Sequence, residues 1–172
     1  MSEIKVGFIG LGLMGSGFTE RLVKSGYTVY GYDRIVEKMT AAEQTGVVVC
    51  DSPAAVLEKA DQIHVCVMTS KDLEELVFGN DGLSSVDGTQ KTIVDHSTTP
   101  AETTRSFANR LKDANGMNWI DAPVSGGPPA AREGTLAIMA GGDEAVFERA
   151  MPVLQTLGNC TRMGDIGAGQ VT

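Results

Sequence analysis

Short apolar runs alternate with amphipathic stretches along almost the whole chain. Ile4–Ile9, Thr28–Tyr32, Val47–Cys50, Ile63–Val67, Thr92–Asp95, Trp119–Ala122 and Leu136–Ala140 are β-compatible. Their near-continuous apolar character is that of strands buried on both faces. Between them apolar residues recur at helical spacing. Met14, Phe18 and Leu22 fall at i, i+4 and i+8, predicting a helix over Leu13–Ser25 that Gly26 stops. Further helices are predicted over Ile35–Glu43, over Pro53–Lys59 behind a Ser52 cap, over Lys71–Phe78 and over Ala101–Ala114. Val146, Phe147, Ala150, Val153, Leu154 and Leu157 predict one more, which Pro152 is expected to break or kink at Met151. A last short strand is expected over Cys160–Met163. This alternation predicts an α/β fold of the Rossmann type, a doubly wound, mostly parallel sheet with helices on both faces.

One stretch adds chemistry to the pattern. The first strand runs into Gly10, Gly12 and Gly15 in G-x-G-x-x-G spacing, a helix follows, and the second strand ends on Asp33, 23 residues beyond Gly10 (33 − 10). Gly10 permits a tight turn, Gly12 lets the backbone approach a pyrophosphate, and Gly15 lets helix and strand pack closely. The anion would sit on free amides at the helix N-terminus, where the helix dipole favours negative charge. Glycines in this spacing also serve plain turns. The strand before them, the helix after them and the carboxylate within reach of a ribose diol favour dinucleotide binding.

Totals narrow the class. A chain of 172 residues suits one compact domain, and its formal net charge of −8 (14 − 22) with no basic run argues against a nucleic-acid partner. Cys50, Cys66 and Cys160 are odd in number and far apart, which fits reduced thiols in a cytoplasm. No signal-peptide pattern and no apolar run of about 18 residues is present, so no membrane span is expected. No linker divides the chain, and residues 1–164 read as one dinucleotide-binding domain.

In a doubly wound sheet, ligands collect beyond the carboxyl ends of the strands. Those loops here are Asp33-Arg34, Met68-Thr69-Ser70, His96-Ser97-Thr98-Thr99 and Pro123-Val124-Ser125-Gly126-Gly127. In the last, a serine hydroxyl beside two unobstructed glycine amides makes a cradle for a substrate carboxylate; a plain glycine-rich turn is the alternative. Asp95, His96 and Ser97 suggest a hydrolase, yet adjacent extended residues point different ways and no G-x-S-x-G elbow exists. His96 is therefore expected to be an incidental loop residue and His64 a hydrogen-bonded core histidine. The scattered histidines and cysteines assemble no metal-ligand spacing, so no metal is expected.

Four stations of the chain resemble the amino-terminal domain of the β-hydroxyacid dehydrogenases, the group of 3-hydroxyisobutyrate dehydrogenase and tartronate semialdehyde reductase. They are Val6–Gly15, Asp95-x-Ser97-Thr98, Asp121–Gly127 with Gly134-Thr135-Leu136 behind it, and Gly167-Ala-Gly169. The resemblance implies that the Leu11, Gly12, Leu13, Met14 and Gly15 backbone holds a pyrophosphate beside the Gly10 turn, with Asp33 on the adenosine ribose; Arg34 next to it is a further cofactor-binding candidate. It further implies that Val67 and Met68 line the cofactor, that Thr98 lies near the nicotinamide ribose, and that Ser125, Gly126 and Gly127 hold the substrate's acid group. Three places depart from the family pattern: Cys66-Val67-Met68 after the fourth strand, the early Pro100, and Pro128-Pro129 after Gly127.

By the same resemblance the catalytic lysine falls directly after Thr172, so no catalytic residue is expected within the chain. Residues 165–172 would begin an interdomain helix leading to a helical second domain that this chain does not contain. The function implied is the NAD(P)-binding domain of a 3-hydroxyacid dehydrogenase acting on a small hydroxyacid or semialdehyde, with the complete enzyme a homo-oligomer. The expected cofactor is NAD, because Asp33 would repel a 2′-phosphate, with NADP as the second candidate through Arg34. The alternative is a non-catalytic dinucleotide-binding sensor or interaction module.

Overall fold

The computed structural model describes residues 3–171. Met1, Ser2 and Thr172 lie outside the described residues, at the ends of the expected 1–164 domain and of the expected helix start over 165–172. The first half runs β1 (Val6–Ile9), α1 (Leu13–Lys24), β2 (Val29–Tyr32), α2 (Val36–Gln44), β3 (Val48–Val49), α3 (Pro53–Lys59), β4 (Gln62–Val65) and α4 (Ser70–Phe78). The second runs β5 (Thr92–Asp95), α5 (Ala101–Asn115), β6 (Asn118–Asp121), β7 (Val124–Ser125), α6 (Gly127–Glu133), β8 (Leu136–Gly141), α7 (Glu144–Leu157) and β9 (Gly158–Gly164).

Among the described residues nine strands form one sheet in the order β3-β2-β1-β4-β5-β6-β8-β7, with β9 paired to β8. β3 to β6 are mutually parallel, while β8 runs antiparallel to β6 and β7. The chain leaves β1 toward β2 and returns to β1's other edge as β4, in register from Val6↔Gln62 to Ile9↔Val65. The order reverses there, which opens a crevice at the carboxyl end of the sheet.

Successive strand residues feed opposite faces. Phe8, Val94 and Ile120 join Phe18 and Leu22 of α1 and Val153 and Leu154 of α7 in one core. Ile9, Ile93 and Trp119 join Leu57 of α3, Leu73 of α4 and Phe107 of α5 in the other. Phe18 and Leu22 are completely buried, each contributing about 1.5–3 kcal/mol of apolar transfer. They place the first turn of α1 against the end of β1.

Three local expectations need correction. Of the break or kink expected at Met151, the break does not occur: α7 continues through Pro152. Pro152 is exposed, so the carbonyl it leaves without a helical donor faces water, and the buried residues on either side hold the helix together. Pro123–Gly127 is not one open loop: Val124 and Ser125 pair with Ile138 and Ala137, and α6 begins at Gly127. Cys66 and Val67 lie beyond β4 rather than within it. Among the described residues no helix is long and apolar enough to cross a membrane.

Candidate cofactor-binding site

The three motif glycines meet three different demands. Gly10 has φ +97°, and a Cβ there would lie 2.1 Å from the Cys66 carbonyl oxygen. A Cβ on Gly15 would lie 1.8 Å from the Gly10 carbonyl oxygen, so the helix can sit on the turn only without a side chain. Gly12 differs. Its φ is −74°, and among the described residues a Cβ there would approach only the flexible tip of Lys38, at 3.6 Å. Packing among the described residues therefore does not require a glycine at this position. Gly12 also caps α1, whose first turn carries no side-chain cap and no acidic residue. Its leading amides face a cleft of about 390 Å³, within the size range of ligand pockets.

Asp33 closes one wall. Its Oδ2 accepts the Leu11 amide at 2.8 Å and its Oδ1 the Ile35 amide at 2.8 Å. The carboxylate thus ties the glycine turn to the start of α2, and each oxygen keeps a further lone pair for a hydroxyl. Arg34 is exposed and turned to Asp72 in a 3.1 Å ion pair. Lys38, in the first turn of α2, lines the cleft, a cation that the motifs do not mark.

Val67 and Met68 form the opposite wall, with Met68 91 % exposed. Cys66 lines the cleft too; burial pushes its thiol up to about 11, so it is a neutral, unreactive side chain at neutral pH. The cleft therefore gathers Gly10, Gly12, Leu13, Met14, Gly15, Asp33, Arg34, Val67 and Met68. Leu11 is buried and touches it through the Asp33 bond. Thr98, Ser125, Gly126 and Gly127 do not line it. Thr98 is exposed beyond β5, and Ser125 and Gly126 are exposed where β7 meets α6.

The Asp95–Ser97 stretch does not form a relay. Asp95 accepts the Ser97 amide at 2.9 Å, whereas His96 points into the core. His96 is not an incidental loop residue. Its Nε2 accepts from His64 Nδ1 at 2.8 Å, its Nδ1 donates to the Ala122 carbonyl at 2.8 Å, and Gln62 Nε2 donates to His64 at 2.8 Å. With an amide donor at one end and a carbonyl at the other, only this tautomer series satisfies every bond. Burial pushes the Asp95 carboxyl up to about 7, and its Oδ2 has no partner. Among the described residues no group of three His, Cys, Asp or Glu side chains is placed to hold a metal.

A glycine turn under an open helix N-terminus, a carboxylate closing the second strand, and a cleft at the sheet's switch point define a dinucleotide-binding domain. The chain belongs to the family described as the NAD binding domain of 6-phosphogluconate dehydrogenase, whose model matches residues 5–164. It is 40 % identical over 168 residues to the 2-hydroxy-3-oxopropionate reductase of Escherichia coli, covering 97 % of this chain and 57 % of that protein. The structure of Mycobacterium tuberculosis 3-hydroxyisobutyrate dehydrogenase with L-serine superposes with a TM-score of 0.91 at 32 % identity, covering 99 % of this chain and 57 % of that one. Psf3 in complex with NADP+ and 2-OPP superposes at 0.90 with 28 % identity, covering 96 % of this chain and 59 % of that one. The chain thus spans somewhat under three fifths of the length of these relatives.

Proposed function

We propose that the chain is the cofactor domain of an NAD(P)-dependent 3-hydroxyacid dehydrogenase that interconverts a small 3-hydroxyacid and its semialdehyde. The open space over Gly12, at the uncapped start of α1, carries this reading. The nicotinamide, when bound, supplies hydride transfer. The first-turn amides of α1 hold the pyrophosphate, and the free lone pairs of Asp33 accept the adenosine ribose hydroxyls. Thr98 stands beside the nicotinamide ribose. The Ser125 hydroxyl and the amides of Gly126 and Gly127 orient the substrate carboxylate.

Asp33 gives NAD(H) the advantage, because a 2′-phosphate would set a second negative group against its carboxylate. Lys38 and Arg34 offset part of that repulsion. NADH should bind more tightly than NADPH by about tenfold, or roughly 1.4 kcal/mol. Asp33→Ala should narrow the gap chiefly by weakening NADH, and Lys38→Ala should weaken both cofactors, NADPH the more. Fluorescence titration with both cofactors checks this, and tighter binding of NADPH by the parent chain removes Asp33 from its role.

We expect no general base among these residues, on the strength of the family resemblance. His64 and His96 are buried, hydrogen-bonded and neutral, and the lysine implied by family resemblance follows Thr172. Residues 1–172 should therefore bind cofactor without turnover. The measurement is NADH formation with 3-hydroxyisobutyrate and glycerate, with the E. coli relative as a positive control. Sustained turnover by residues 1–172 would place the base inside them and defeat the lysine assignment.

A further inference from the structure

The segment after β9 is bound to the carboxyl edge of the sheet through one acid and one amide. Asp121, the buried last residue of β6, accepts the Gly167 amide at 2.7 Å through Oδ1 and the Gln170 amide at 3.2 Å through Oδ2. The fit is close, since a Cβ on Gly141 would lie 2.7 Å from Oδ1 and one on Gly169 2.9 Å from Oδ2. Gln170 then reaches across the loop after β5. Its Nε2 donates to the Ser97 carbonyl at 2.8 Å, and its Oε1 accepts the Thr99 amide at 3.3 Å. A carbonyl and an amide at fixed places demand an acceptor and a donor on one neutral side chain, which glutamine supplies. Ser97 passes the constraint on, because its Oγ accepts the Val67 amide at 3.0 Å in the cleft wall.

We infer that Asp121 and Gln170 are positioning residues for the half of the cleft farther from Asp33. Asp121 fixes the 167–170 turn, Gln170 fixes Ser97–Thr99 on both sides of the exposed Thr98, and Ser97 fixes Val67. Neither Asp121 nor Gln170 lines the cleft, so each acts through the loops it holds. The adenosine half is held separately, by Asp33 through Leu11 and Ile35. The inference rests on the cleft being a dinucleotide site, and it predicts that the two halves of the ligand respond differently to one substitution.

The test uses the whole chain with two ligands, NADH and ADP-ribose, the second lacking the nicotinamide. Gln170→Met keeps the length of the side chain and removes both of its hydrogen bonds. It should weaken NADH about tenfold, as the loss of one or two such bonds allows, and leave ADP-ribose within about twofold. Gln170→Asn keeps the amide but falls one methylene short; it should give the same pattern at smaller amplitude and guards against misfolding of the first variant. Asp121→Asn, with one acceptor oxygen left, should act in the same direction. Equal weakening of both ligands, or no change in either, overturns the inference. A parent chain that binds neither ligand overturns the dinucleotide reading itself.

Discussion

A Gly12→Val chain should fold as the parent does and lose NADH binding by about 10² to 10⁴-fold. The folding half follows from geometry. Gly12 has a φ of −74° that any residue adopts, and among the described residues its missing Cβ would approach only the Lys38 tip. The binding half follows from what an isopropyl group would displace. A pyrophosphate on the first turn of α1 gains at least two charge-assisted hydrogen bonds, worth about 1.5–3 kcal/mol each, and a side chain over that turn denies both. Gly15→Val is the opposite case. Its Cβ would stand 1.8 Å from the Gly10 carbonyl oxygen, so α1 must lift from the turn at a cost on the order of 3 kcal/mol or more. Against a total stability of about 5–15 kcal/mol, that variant should melt well below the parent. Urea unfolding and NADH titration of both variants separate the two roles. Parental NADH affinity in Gly12→Val would mean that the space over Gly12 is not the pyrophosphate site, and failure of that variant to fold would mean that the fold itself requires the glycine.

The same contrast shows what was legible in the sequence. Strand, glycine turn, helix and acid were readable because each rests on local chemistry with a fixed spacing, and the structure keeps all four in place. Parallel pairing followed from strands apolar on both faces. The short β7 and α6 were not readable. Val124-Ser125 is held by cross-strand bonds to β8, and α6 begins at glycines whose positive φ, +136° at Gly126 and +74° at Gly127, carries no helix signal. Pro152 does not end α7 because the breaking rule is local, whereas buried contacts at Val153, Leu154 and Leu157 carry the helix on. His96 misled for a related reason. Its partners, His64 and the Ala122 carbonyl, lie 32 and 26 residues away and meet it only once β4, β5 and β6 pair in register. Lys38 reaches the cleft, and Gln170 the loop after β5, through tertiary placement alone.

The buried histidine chain should make the protein's stability respond to acid through His64 and His96. Burial holds His96 down at about 4 and His64 well below its ordinary 6.5, each in a chain of bonds that needs the neutral ring. In the unfolded chain both take up protons near 6.5. As pH falls from 6.5 toward 4 the unfolded state binds protons that the folded state refuses, so stability drops. His96 alone loses roughly 3 kcal/mol over that interval, at about 1.4 kcal/mol per pH unit. Asp95 and Asp121 work in the opposite sense. Burial raises both carboxyls, Asp95 to about 7, so the folded state keeps protons that the unfolded state releases above 3.8. Their contribution is full below 3.8 and is lost as pH rises toward 7. In the parent chain the two trends therefore oppose each other between about pH 4.5 and pH 6.5. A His64→Gln, His96→Gln chain keeps donors and acceptors but cannot titrate. It should be less stable than the parent near neutrality, where ring packing against Phe8 and Phe18 is lost, and should close that gap on acidification as only the carboxyl trend remains. Urea unfolding of both chains across this range is the measurement. A stability difference that does not change with pH would show that the two rings are charged in the folded protein, against the bonding from Gln62 to Ala122.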